Sequence, residues 1–363
     1  MVAPTPTWLL GVISFLLRTL KGLEKPRKRI AATTWGFNTL SPFFYDVRYA
    51  IGIDIGATNT RIALGNDEGE LIEVVTFKTW DYQDPNLYLD RIAHVIRELR
   101  AKYKVEVTGV GVGSPGPLDM ARGEVVAAPN MPFKRLEVVR VLKELVNLPV
   151  AFANDAVTAA VGEKFWGEGA GLDNLVYVTI STGIGGGVYV DGSLLLGKDG
   201  NAHEIGHVVV DSQERLTCGC GKKGHWEAYC SGSGIPRFAR FIAEHEKVEG
   251  SCLMTGGKLE ARDVFEAYRA GDPLARRVIS EVKRFNAYGF AAIVNYYDPE
   301  LVTVGGSVAL NNPDILLEGL RDSVKNYTVN RPPEIKLTRL GANAGLLGAL
   351  ALGLGLERKV PLR

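Results

Sequence analysis

Cysteine is scarce: 363 residues hold four, Cys218, Cys220, Cys230 and Cys252. A single glycine separates the first two, too close for an easy disulfide, so the chain reads as a protein of a reducing, cytoplasmic compartment. Net charge is nearly absent as well. Forty-two Lys and Arg face 41 Asp and Glu, leaving +1, which offers no bulk attraction to nucleic acid or to an anionic membrane. Long apolar runs are also missing. The stretch Trp8 to Leu17 is too short to span a bilayer as a helix, and the basic stretch Lys25 to Arg29 follows it, the reverse of a secretory leader. Ile30 to Asp46 shows no sustained periodicity, and residues 1–47 read as a disordered N-terminal extension, with an amphipathic surface anchor as the other reading.

What is present is apolar and alternating. Hydrophobic residues make up 46% of the chain, enough for two domains. From Arg48 short apolar strands alternate with amphipathic helices, the pattern of an α/β protein. YAIGIDIG, RIALGND and LIEVVTFKT read as three hairpin-linked strands, Asn86 to Tyr103 as a helix with Leu87, Leu89, Ile92, Val95, Ile96 and Leu99 on its apolar face, and VTGVGVGS as a fourth strand. A helix is expected over Leu136 to Val146. VYVTIST, GGGVYVDG and EIGHVVVD then repeat the strand and glycine-turn arrangement, so two similar halves are implied. Beyond Gly232 come a long helix, Pro273 to Tyr297, the strand LVTVGGS, a helix near Ile315 to Lys325, the strand EIKLTRL and a small-residue helix, Asn343 to Leu356.

Two glycine turns carry chemistry. DIGATNTR, Asp54 to Arg61, puts an acid at a strand end followed by glycine and hydroxyl residues, and such a turn can aim N–H and hydroxyl groups at phosphate oxygens. Asp54 is placed to hold Mg²⁺, which favours oxygen ligands and keeps part of its water. STGIGGG, Ser181 to Gly187, supplies the second turn. Either alone reads more readily as an ordinary hairpin; matching positions in two halves give the pair its weight. Asn154 and Asp155 end the strand PVAFA just before a helix starting at Ala156, where Asp155 is either a helix N-cap or a base reaching into a cleft. His207, Cys218, Cys220 and His225 offer two thiolates and two imidazoles, a set suited to tetrahedral Zn²⁺.

DIGATNTR, GSPGPLD, APN, NDA, STGIGGG, EIGH and CGCGKKGHWE, in that order, resemble the ROK family of sugar kinases and repressors over Arg48 to Arg363. The resemblance implies the actin-like (ribonuclease H-like) ATPase fold, two α/β domains around a cleft. The expected division is a small domain over 48–155, joined by the C-terminal helix 343–357, and a larger domain over 156–342 that carries the zinc loop. It implies an ATP-dependent hexokinase or glucokinase acting on the 6-hydroxyl of glucose, with Asp155 as general base. ATP and Mg²⁺ are expected at Asp54, Gly56, Thr58, Asn59, Thr60, Arg61, Thr182, Gly183, Gly185, Gly305 and Gly306. The hexose is expected at Gly113, Ser114, Pro115, Gly116, Asn130, Asn154, Asp155, Glu204, His207 and Glu227. Structural Zn²⁺ would brace His207 and Glu227 towards the sugar, with His225 standing where the family usually has a third Cys. The family also implies a homo-oligomer, dimer or tetramer. N-acetylmannosamine or N-acetylglucosamine kinase is the alternative activity. A sugar-responsive repressor is disfavoured because the residues before Arg48 contain four prolines and no paired helices of a DNA-binding motif.

Overall fold

A computed structural model describes residues 47–126, 131–254 and 257–362. Two five-stranded sheets of identical topology organise them. The first has the order β3-β2-β1-β4-β8 and is built from β1 (Tyr49–Ile55), β2 (Asn59–Asn66), β3 (Leu71–Lys78), β4 (Val107–Ser114) and β8 (Val150–Asn154). The second has the order β11-β10-β9-β12-β13, from β9 (Leu175–Ile180), β10 (Ile184–Val190), β11 (Ser193–Leu194), β12 (Leu301–Gly305) and β13 (Glu334–Leu337). In each, an antiparallel hairpin (β1 with β2, β9 with β10) borders strands that run parallel to its first member (β4 and β8, β12 and β13). The duplication expected from the two glycine turns is therefore present in the hydrogen bonding. A small sheet the sequence reading did not anticipate, β5 (Leu118–Asp119), β6 (Glu124–Val126) and β7 (Arg135–Leu136), follows β4.

Among the described residues seven helices have nine residues or more: α1 (Pro85–Tyr103), α2 (Val138–Val146), α3 (Asp155–Trp166), α4 (Gly234–His245), α5 (Ala261–Arg269), α6 (Pro273–Tyr297) and α7 (Ala344–Gly353). Local chemistry sets their ends. Asp84 caps α1 by accepting from the Asn86 and Leu87 amides, with Pro85 at the first helical position, and Lys104 closes it in the left-handed region. Leu87 departs from expectation: it is 61% exposed, and the buried neighbour is Tyr88, whose hydroxyl meets Thr60 in the core. Leu136 belongs to β7, which delays α2 to Val138. The single helix expected over Ile315 to Lys325 is two short ones, Pro313–Leu316 and Leu320–Lys325, because Gly319 turns the chain at φ +70°. EIGHVVVD is not a strand. Ile205–His207 is a 3-10 turn, and the Asp211 carboxylate captures the Gln213 and Arg215 amides, ending any extended pairing.

α7 lies against α3 and β1 at backbone distance. A Cβ on Gly162 would stand 2.6 Å from the Ala344 carbonyl oxygen, one on Gly52 2.7 Å from that of Leu346, and one on Gly348 would overlap the Thr158 carbonyl. Small residues are thus required for the last helix to seat between the first sheet and α3. Gly348→Ala should lower the unfolding free energy by about 1–3 kcal/mol, the opposite sign to the gain of about 1 kcal/mol that Ala has over Gly in an open helix. A urea unfolding midpoint no lower than that of the parent would contradict this packing.

Candidate active site

Strand register gathers the acids. Asp54 pairs across with Gly113, Gly113 with Ala153, and Ser114 with Asn154, so the carboxyl ends of β1, β4 and β8 deliver Asp54 and Asp155 to one edge. Asn154 takes the N-cap of α3, accepting from the Ala156 and Val157 amides at 2.9 and 3.5 Å. The helix therefore begins at Asp155, one residue earlier than expected, and the cap falls to Asn154, although one Asp155 oxygen still takes the Ala156 amide at 2.8 Å. A cavity of about 260 Å³ lies here, lined by Asp54, Asp155, Tyr177, Thr179, Ser181, Gly306, Ser307 and the Gly341–Gly345 segment.

The electrostatics suit a polyanion held with a cation. The first residues of α3 and of α7 both border the cavity, and helix N-termini attract phosphate. Burial, then the charge of Asp155, pushes the Asp54 carboxyl up to about 6, with Arg61 pulling it back. Burial likewise raises Asp155, opposed by the Ala156 amide and by His203. Two buried carboxyls at one pocket, the Asp54 carboxyl raised in part by the charge of Asp155, are oxygen donors of the kind a divalent cation prefers. Arg61 donates to the Ala342 carbonyl at 2.7 Å and to the Asn343 side chain, in the segment that enters α7.

The expected nucleotide residues divide. Gly56 closes the first hairpin through Asn59 at 3.0 Å and leaves Thr58 and Asn59 exposed. Thr60 is a correction: it is fully buried, its hydroxyl spent on Thr79 at 3.0 Å and Tyr88 at 2.5 Å, so it cannot face a phosphate. Gly183 turns the second hairpin beside an exposed Thr182, whereas Gly185 lies within β10 against Ala156 and is a packing glycine. Gly305 ends β12 where a side chain would strike Tyr177, and Gly306 lines the cavity at φ +85°. Tyr177, Thr179, Ser307 and the Gly341–Gly345 run were missed. A threonine inside the apolar strand VYVTI and the GANAG run before a helix were their signals.

The expected sugar residues lie on both sides of Asp155. Gly116 approaches Asn154, but Ser114 is fully buried with its hydroxyl on the Pro115 carbonyl, and Gly113 packs on Thr158, so those two support the site from beneath. Asn130 lies outside the described residues. Glu204 is exposed, 3.4 Å from His207 Nε2. Glu227 accepts from the Ile184 amide at 2.8 Å and touches Cys218 Sγ at 3.5 Å, which joins the second hairpin to the metal loop.

The four expected metal donors converge: those of His207, Cys218, Cys220 and His225 all lie within 4.8 Å of one another. Cys218 Sγ is 3.7 Å from His207 Nδ1, Cys220 Sγ 3.3 Å from His225 Nδ1, and the two Nδ1 atoms are 3.1 Å apart. Tetrahedral zinc spaces such donors by about 3.3–3.8 Å, so the set fits. Burial and then His207 hold His225 below the usual imidazole range, in the neutral form that a metal needs. Burial pushes the Cys218 thiol up to about 12, so ligation must release its proton.

Residues 50–355 match the ROK family model. A glucokinase of Aeropyrum pernix is 37% identical over 319 residues, covering 86% of this chain and 98% of that protein. A ROK hexokinase from Thermus thermophilus superposes with a TM-score of 0.74 at 33% identity, over 86% of this chain and 99% of that one. A ROK glucokinase from Streptomyces griseus, solved with glucose and AMPPNP, has a TM-score of 0.67 at 31% identity over the same shares.

Asp54 carries a pH signature. Its folded value of about 6 lies above the unfolded 3.8, so the protein is favoured with Asp54 protonated and loses that stability as pH rises through about 6. Without added Mg²⁺, Asp54→Asn should be nearly neutral at pH 4 and stabilising by about 3 kcal/mol at pH 8, since one unit is about 1.4 kcal/mol. Urea unfolding at the two pH values reads it, and an equal effect at both would refute the assignment.

Proposed function

The chain belongs to the ROK family, and from that premise we propose that it is an ATP-dependent glucokinase that phosphorylates the 6-hydroxyl of glucose. The observation that carries the reading is the juxtaposition of Asp155 with Asp54 at a cavity bordered by two helix N-termini. A sugar hydroxyl is a poor nucleophile, and a carboxylate whose basicity is raised by burial is suited to take its proton as the phosphoryl group transfers. Mg²⁺, held through Asp54, would neutralise phosphate charge. The amides opening α7 would hold phosphate oxygens, and Arg61 ties the first hairpin to the segment before α7. Catalysis then consists mostly of positioning and charge stabilisation.

We assign structural Zn²⁺ to His207, Cys218, Cys220 and His225, where it would fix the loop that presents Glu204, His207 and Glu227 to the hexose. The lobes divide in this reading as 48–155 with the C-terminal helix, and 156–342. Among the described residues no helix is long and apolar enough to cross a membrane.

A coupled assay with ATP across glucose, mannose, fructose, glucosamine and the two N-acetyl sugars tests the acceptor. Glucose should have the highest kcat/KM, and a preference for N-acetylmannosamine or N-acetylglucosamine would replace this assignment. Asp155→Asn should lower kcat by roughly 10²–10⁴-fold with little change in glucose binding and no fall in melting temperature, since burial raises this carboxyl too. The parent's rate should climb with pH through an acid limb above the ordinary carboxylate range, because the base must be ionised and burial raises it. Near-parental turnover of the variant would remove Asp155 from the chemistry.

A further inference from the structure

The segment carrying Cys218 and Cys220 has one fixed side and one free side. On the fixed side Asp211, 3% exposed, accepts from the Gln213 amide at 3.2 Å, the Arg215 amide at 3.3 Å, Arg215 Nε at 2.9 Å and the Tyr229 hydroxyl at 2.7 Å. The Tyr229 oxygen in turn accepts from the Leu216 amide at 2.8 Å. Arg215 continues to Glu281 on α6 at 3.5 Å, where Arg277 and Arg284 meet the same carboxylate at 2.9 and 2.5 Å. Its guanidinium also lies over the rings of Phe238 and Phe285, 5.4 and 5.5 Å from their centroids. Cys218, buried, follows three residues later, its amide bonded to the Lys222 carbonyl at 2.7 Å. On the free, solvent-facing side Cys220 is exposed at the tip of a turn that the Gly221 amide closes on the Cys218 carbonyl at 2.9 Å, and no neighbour packs against Gly219 or Gly221.

We infer that Arg215 is a positioning residue for the metal centre: by joining Asp211 at the base of the loop to Glu281 on α6, it holds Cys218 against His207 before an ion arrives. The inference rests on the zinc assignment above. A planar guanidinium can engage Asp211 and Glu281 at once while stacking on two aromatic faces, which an ammonium cannot do. With half the ligand set held in place, binding need order only the tip carrying Cys220. The consequence reaches the sugar side, since His207 Nε2 faces Glu204 and Cys218 touches Glu227.

The test titrates full-length, chelator-stripped protein with Zn²⁺ against a chromophoric chelator and records the unfolding midpoint of each metal-free protein. Arg215→Met should weaken zinc binding by roughly 10- to 100-fold, and Arg215→Lys, which keeps a charge without the fork, by less. A merely structural knot would lower the midpoint and leave zinc affinity unchanged, so affinity within twofold of the parent overturns the inference. Should Arg215→Met not fold, Arg215→Lys decides by the same criterion. A parent that binds no zinc overturns the metal assignment and this inference with it.

Discussion

The seat of α7 between β1 and α3 is the constraint on which the rest depends. Asp54 ends a strand of the first sheet and Asp155 opens α3, and both elements are packed against the same glycine-bearing helix. Backbone-to-backbone contact leaves little room for sliding. It also sets the N-terminus of α7 beside Asp54, where a Cβ on Gly345 would stand 3.5 Å from that carboxylate. The residues nearest the C-terminus thus complete a site begun by the first strand.

Within that frame the charges oppose one another by arrangement. Two acids share a cavity with the first residues of two helices, and the metal-complexed polyphosphate proposed above would answer to both signs of charge. This is why the elevated carboxyls and the helix N-termini are one observation about ligand chemistry and not two.

The fold was largely legible because its signals are repeated. Hairpin, glycine turn and parallel strand occur twice, and the long helix Pro273–Tyr297 coincides with its expected limits through its Asp272 cap, Pro273 start and left-handed Asp298. Failures occurred where side-chain direction or tertiary partners decide. Thr60 sits in a motif suggestive of phosphate, yet strand alternation turns its hydroxyl to the core. Leu87 fits the helical face, but Tyr88 wins the buried position because its hydroxyl finds Thr60 and its ring finds Phe77 and Phe133. The convergence of His207, Cys218, Cys220 and His225 could be read because two thiols and two imidazoles so close in sequence are rare in so cysteine-poor a chain. The ion-pair knot behind it could not, since Arg215 and Glu281 lie 66 residues apart and look like surface charges in sequence.

Glu227 is held on several sides at once. One oxygen holds the Ile184 amide of the second hairpin, the other meets Cys218, and Gly183 has no side chain because Glu227 occupies that space. In the reading proposed above, position 227 is a poor place to alter sugar preference, as a replacement would disturb the hairpin and the cysteine loop together. Glu204, exposed and in contact with His207, is the position at which acceptor range would be redesigned at small structural cost.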